Sequence, residues 1–260
     1  MSALPPLAEL VTPVSEIVRR AGRRIMEIYE RGFEVQRKED DSPVTEADQA
    51  SEDIILPALA ALTPDIPAVA EEAVAAGHVP DISGGVFWLV DPLDGTKEFI
   101  HQRGDFTVNI GLVMAGQPCF GVMGAPARDR VYAGVVAGAA TLAENDAPPV
   151  AITARPAPAE GLTVVASRSH GDEARLAAYL APLAVHDRVN AGSALKFALI
   201  AAGEADLYPR FGRTMEWDTA AGHAILLAAG GAVETVDRAP LTYGKPDFAN
   251  PHFIAFGRRG

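Results

Sequence analysis

Apolar residues at Leu7, Leu10, Val14, Ile17, Val18, Ile25 and Ile28 recur at three- and four-residue steps. That spacing marks one face of an amphipathic helix ending near Arg31. Thr12 followed by Pro13 supplies an N-cap and a first helical position, so the ordered helix is expected to start there. The polar stretch Val35–Asp41 reads as an extended loop. Thr45 then opens a second helix through Ile54, Ile55, Leu59 and Leu62, which Pro57 is expected to bend or break. The apolar run Val86-Phe-Trp-Leu-Val90 has strand length, and the glycine-punctuated pattern from Phe106 to Met123 and from Val131 to Val136 predicts an antiparallel sheet. A Pro/Ala/Asp-rich stretch, Glu144–Pro149, divides the chain into an N-terminal α+β lobe (1–146) and a C-terminal α/β lobe (147–260). Beyond it, Leu162–Ser167 reads as a strand, and Asp172–Leu183, Ala194–Ala202 and Thr219–Ala229 as helices, the last ended by Gly230-Gly231. Mixed helices and strands of this kind build α+β or α/β layers.

At 260 residues the chain is one large domain or two intimate lobes. Its formal net charge of −12 leaves no basic surplus for a phosphodiester backbone, so no nucleic-acid partner is expected. A single cysteine, Cys119, excludes an internal disulfide framework and a cysteine zinc cluster. No apolar run reaches the length of about 18 residues that a membrane helix needs, and the N-terminus lacks the charge and apolar pattern of a signal peptide. The expectation is a soluble, cytoplasmic protein.

The segment Trp88-Leu-Val-Asp91-Pro-Leu-Asp94-Gly-Thr96 carries the most chemistry. An apolar strand runs into two carboxylates, with proline and glycine forcing a tight turn. Such a turn can aim both carboxylates and an intervening carbonyl at one hard cation. The same residues also make a near-ideal turn sequence, so alone they do not decide. Glu71-Glu72 end another short apolar run and also suit a solvated helix start. Asp218 suits a helix N-cap, and Asp48 stands at capping-box spacing from Thr45. Four acidic sites at the ends of apolar segments, in a chain with no histidine–cysteine site, point together to an oxygen-lined pocket for Mg²⁺.

Val44-Thr-Glu-Ala-Asp48, Glu71-Glu72, Asp91-Pro-Leu-Asp94-Gly-Thr96 and Trp217-Asp-Thr-Ala-Ala-Gly222 together resemble the inositol monophosphatase superfamily of Mg²⁺-dependent, lithium-sensitive phosphatases. Asp94-Gly-Thr-Lys97-Glu-Phe99, Phe106-Thr-Val-Asn109, Ser167-Arg-Ser-His170, Gly192-Ser-Ala-Leu-Lys196-Phe and Leu207-Tyr-Pro-Arg-Phe-Gly212 bring the likeness closest to its CysQ-type 3'(2'),5'-bisphosphate nucleotidases. The resemblance implies the layered αβαβα sugar-phosphatase fold. It also implies two or three Mg²⁺ ions held by Glu71, Asp91, the Leu93 carbonyl, Asp94 and Asp218.

By the same resemblance Thr96, partnered by Asp48, orients the attacking water beside Glu71, and no phosphoenzyme forms. The amides of Gly95 and Thr96 are expected to cradle the phosphate. Lys97, Ser167, Arg168, His170, Gly192, Ser193 and Lys196 are the expected substrate contacts, with Asp218 shared between cation and substrate. Arg168 and Lys196 are assigned to a second phosphate and His170 to sugar or base. The competing account of these residues is that they are polar side chains facing water; Arg210 is read equally as a substrate contact or as the partner of a nearby carboxylate. Trp88, Trp217 and His223 are read as packing, and the Arg19, Arg20, Arg23, Arg24 cluster as solvated. The expected substrate is adenosine 3',5'-bisphosphate, with its sulfated form 3'-phosphoadenylylsulfate as a further one and inositol-1-phosphate as the alternative. A non-enzymatic partner in an RNA or transcription assembly is the reading from another class. The expected assembly is a monomer or homodimer.

Overall fold

The apolar stripe read from the sequence is buried along α1 (Leu7–Arg31), where Leu10, Val14, Ile17, Val18, Ile25 and Ile28 all face inward. The computed structural model describes residues 4–37, 43–145, 147–167 and 172–259. Helix α1 starts at Leu7 and carries Pro13 inside it, not at its start. Burial of Leu10 and Val14 on one face outweighs the single backbone bond that the proline gives up. Pro57 likewise lies within one helix, α2 (Glu46–Leu62), whose Ile55 and Leu59 are buried on either side of it. The 35–41 stretch is also not simply loop: β1 (Val35–Arg37) pairs antiparallel with β2 (Pro43–Thr45).

The chain then runs β3 (Ala68–Ala70), α3 (Glu71–Ala75), β4 (Val86–Asp94), α4 (Thr96–Ile100), β5 (Thr107–Met114), β6 (Gln117–Ala125), β7 (Arg130–Val135), β8 (Ala140–Glu144) and β9 (Val150–Ile152). Strands β3 to β9 form a seven-stranded sheet in sequential order, antiparallel except for β3 beside β4. There follow β10 (Leu162–Ser167), α5 (Glu173–Leu180), β11 (Val185–Ala191), α6 (Leu195–Ala201), β12 (Leu207–Arg210), α7 (Ala220–Ala228), β13 (Ala232–Thr235) and β14 (Phe253–Phe256). The second sheet has the order β11-β10-β12-β14-β13.

Five layers result. Helices α1 and α2 bury one face of the large sheet, including Trp88, Val90, Ile110 and Val122. Helices α6 and α7 fill the space between the two sheets, and α5 closes the outer face of the second through Leu176 against Val164 and Ile254. Helix α7 ends in a Schellman motif: the amide of Gly231 donates to the Leu226 carbonyl and that of Gly230 to Leu227, with Gly230 at φ 89°. No described helix is long and apolar enough to cross a membrane.

A row of glycines decides how deeply α7 sits. Gly111, Gly121 and Gly134 lie opposite one another on β5, β6 and β7. A Cβ at Gly111 would lie 2.8 Å from the Ala220 Cβ, and one at Gly134 2.5 Å from the Ile225 Cα. At Gly121 it would lie 2.8 Å from the Ala221 Cα and closer still to that residue's carbonyl oxygen. The bare backbone of three neighbouring strands forms a trough that only an unbranched track admits. Helix α7 lies against it, with Ala220, Ala221 and Ile225 over the three glycines.

Candidate active site

Three elements converge on one acidic point. Strands β3 and β4 are parallel neighbours, Ala70 opposite Val90, so their C-terminal ends emerge side by side. Glu71, the first residue of α3, therefore stands next to Asp91. Asp218 arrives from much later in the chain, just before α7. Carboxylate oxygens of Glu71, Asp91 and Asp218 all lie within 4.8 Å of one another. The β4–β5 ladder carries an irregularity between Asp91 and Asp94, which swings Asp94 into the same cavity, where its Oδ2 accepts the Ala194 amide at 2.5 Å.

The surroundings oppose negative charge. Asp91 is 1% exposed, and burial, then Glu71, Asp94, Asp218 and Asp48, push its carboxyl well above the usual range. Burial followed by Asp94 and Glu71 does the same to Asp218, against the Met215 amide and Arg210. Asp94 is pushed up to about 6 by burial, opposed by Lys196 and the Ala194 amide. Crowded carboxylates without sulfur or imidazole donors are the ligand set of a hard cation, whose charge relieves their repulsion. These residues could hold a metal ion.

Beneath Asp94, Thr96 Oγ1 lies 3.2 Å from Asp48 Oδ1 and 3.4 Å from the Leu93 carbonyl. Asp48 serves two ends at once. Its Oδ2 accepts the Thr45 amide at 2.8 Å and hydroxyl at 2.9 Å, completing the capping box of α2. Its Oδ1 faces Thr96. Ser51, one turn further along α2, donates to the Pro92 carbonyl at 2.7 Å and so supports the acidic turn from below. Asp218 is not the N-cap of its helix: Thr219 occupies that position, and Asp218 Oδ2 instead accepts the Met215 amide at 2.9 Å.

Across the carboxylates lies a cavity of about 420 Å³. Glu71, Asp94, Asp218, Gly95, Thr96 and Lys97 line one side, and Ser167, Gly192, Ser193 and Lys196 another. Asp48, Asp91 and Leu93 are buried and are not among its lining residues. Arg168 and His170 lie outside the described residues. Lys196 is 2% exposed; its Nζ donates to the carbonyls of Ser193 at 2.5 Å and Ala191 at 3.3 Å and stands 5.0 Å over the Tyr208 ring. Burial lowers its pKa to about 8, with Asp94 pulling the other way, so it remains charged at neutral pH.

Sequence reasoning left Arg213, Thr214 and Tyr208 unassigned, yet all three line this cavity. Arg210 joins them and donates to the Arg213 carbonyl at 2.9 Å. Arg213 is exposed, so it faces the mouth. No spacing rule could have found it, because the loop after β12 carries no periodic signal.

Behind α7, His223 is 3% exposed. Its Nδ1 lies 2.9 Å from the Tyr243 hydroxyl, which lies 3.3 Å from Thr219 Oγ1. Burial lowers its pKa to about 3. A histidine depressed in the folded state takes up its proton only on unfolding. Stability is therefore lost as pH falls below about 6.5. In urea titrations, the loss between pH 7 and 4.5 is expected to shrink by roughly 2–3 kcal/mol in His223→Gln. Equal losses in both proteins would refute the assignment.

The family model described as the inositol monophosphatase family matches residues 7–255. A 3'(2'),5'-bisphosphate nucleotidase CysQ of Salmonella typhimurium is 45% identical, covering 94% of this chain and 98% of that protein. The CysQ of Escherichia coli K12 is 43% identical over the same shares. A crystal structure of CysQ from Bacteroides thetaiotaomicron superposes with a TM-score of 0.79 at 33% identity, covering 99% of this chain and 100% of the other. An inositol monophosphatase from Anabaena gives 0.76 at 26% identity, over 97% and 92% of the two chains. The match runs from α1 to β14, and its relatives align over nearly their whole length: the chain belongs to the inositol monophosphatase family.

Proposed function

We propose that this chain is a Mg²⁺-dependent 3'(2'),5'-bisphosphate nucleotidase that removes the 3'-phosphate of adenosine 3',5'-bisphosphate in the cytoplasm. The observation that carries this reading is one cavity lined both by the carboxylates Glu71, Asp94 and Asp218 and by the cations Lys196, Arg210 and Arg213. A second phosphate needs such cations, and an inositol ring does not. The likeness to CysQ proteins at 43–45% identity supports the same reading.

Glu71, Asp91, the Leu93 carbonyl, Asp94 and Asp218 would hold two or three Mg²⁺ ions. When bound, these supply the positive charge that phosphoryl transfer to water requires. Thr96 directs its hydroxyl proton to Asp48 Oδ1, leaving an Oγ1 lone pair to accept a hydrogen of the attacking water. Glu71 stands beside that water. Attack forms a new P–O bond to the water oxygen, which gives up a proton, as the P–O3' bond breaks and the leaving oxygen takes up a proton to give AMP. Gly95 and Thr96 present amides to the phosphate, while Arg213 at the mouth meets the 5'-phosphate.

The test is phosphate release from adenosine 3',5'-bisphosphate and inositol-1-phosphate in Mg²⁺, with and without Li⁺. The nucleotide is expected to be preferred in kcat/KM by at least about a hundredfold, since a second phosphate adds charge-assisted hydrogen bonds that a monophosphate cannot make. Equal or reversed preference overturns the reading. Arg213→Ala is expected to raise KM for the bisphosphate about tenfold, with adenosine 3'-monophosphate little changed. Equal shifts on both would remove Arg213 from that role.

A further inference from the structure

The turn that carries Asp218 is gripped by a segment far along the chain. Met215 to Asp218 closes on itself, the Asp218 amide donating to the Met215 carbonyl at 3.2 Å and the Met215 amide to Asp218 Oδ2 at 2.9 Å. Both central residues of this turn are held by residues 244–250. Glu216, fully buried, accepts the Gly244 amide at 2.7 Å and the Lys245 amide at 3.0 Å, and Lys245 Nζ lies 2.6 Å from its Oε1. The Glu216 amide donates to the Phe248 carbonyl at 2.8 Å. Trp217 packs on Phe248, ring centroids 5.9 Å apart. Asn250 Nδ2 completes the grip by donating to the Met215 carbonyl at 2.7 Å.

Filling space does not require a carboxylate at position 216. A buried charge costs free energy that an aliphatic side chain of similar volume avoids, so its value lies in fixing geometry. Here both oxygens are engaged, by two backbone amides and an ammonium, and each contact has a direction. We infer that Glu216 is a positioning residue for the metal centre: by locking the Gly244–Lys245 backbone to the turn, it fixes the orientation of the Asp218 carboxylate and so sets cation affinity. The inference rests on Asp218 being a metal ligand. Loss of a group that orients a metal ligand from behind typically costs about 10–100-fold in metal affinity.

Calorimetric titration of the full chain with Mg²⁺, well below Tm, tests this on wild type, Glu216→Gln, Lys245→Met and Asp218→Asn. Glu216→Gln is expected to raise the Mg²⁺ dissociation constant about 10–100-fold, with kcat returning toward wild type at saturating Mg²⁺. Lys245→Met is expected to give a smaller rise, because the two amides remain, and the double variant less than the product of the two. A purely structural Glu216 would lower Tm and leave the Mg²⁺ constant where it was, which overturns the inference. If Glu216→Gln does not fold, Lys245→Met decides: an unchanged constant there overturns it equally. Unchanged Mg²⁺ binding in Asp218→Asn would instead remove Asp218 from the ligand set, and the inference with it.

Discussion

Asp91→Asn is expected to abolish turnover while raising the Tm of the protein held in chelator. Asparagine keeps the shape of the side chain and can still accept the Leu93 amide, which lies 3.1 Å from Asp91 Oδ1. What it removes is a charge whose burial, followed by the nearness of Glu71, Asp94, Asp218 and Asp48, holds the Asp91 carboxyl above its usual range. Without a cation, keeping Asp91 ionised at neutral pH costs folding free energy, because the unfolded chain ionises it freely. Each 1 kcal/mol of such relief corresponds to a Tm higher by roughly 2–4 °C for a chain of this size. The same charge lies where the transferring phosphoryl group must be neutralised, so activity is expected to fall at least about a thousandfold. Tm in chelator, Tm in Mg²⁺ and phosphate release form one experiment. Near-full turnover would remove Asp91 from the metal centre, and a lower Tm in chelator would show that its charge was already compensated.

Gly121→Ala is expected to be the most disruptive single methyl that can be added to the interface between the large sheet and α7. The new Cβ meets backbone, which cannot rotate away as a side chain would. Overpacking of this kind costs about 3 kcal/mol, a Tm lower by roughly 6–12 °C. Helix α7 must rise out of its trough, and its first turn follows Asp218 directly. A weaker Mg²⁺ affinity is therefore expected alongside the loss of stability. Gly84→Ala is the control, since a Cβ there meets nothing within 4 Å. Equal Tm values for the two variants would mean that the sheet relaxes freely and that the glycine row does not set the depth of the helix.

Elements whose identity lies in their own residues were legible before any tertiary contact was considered. The inward stripe of α1, the apolar strand leading into Asp91, the Thr45–Asp48 cap and the Gly230-Gly231 stop all follow from local periodicity, capping or turn chemistry. Local rules failed where packing overrode them. Pro13 and Pro57 each forfeit a helical bond, and burial of the surrounding apolar face carries the helix through both positions.

Residue types and short spacings thus determined which carboxylates could serve a cation, and a resemblance carried the expectation that they meet. That Glu71, Asp91 and Asp218 lie within 4.8 Å of one another is decided by the parallel pairing of β3 with β4 and by the seat of α7 on three glycines. Arg213 at the cavity mouth and the grip of Gly244–Asn250 on the Asp218 turn likewise exist only once the chain has closed. Hydrophobic periodicity reports which face of an element is buried. It holds no record of what that face will meet across dozens of intervening residues, so the aim of each carboxylate is a property of the closed fold alone.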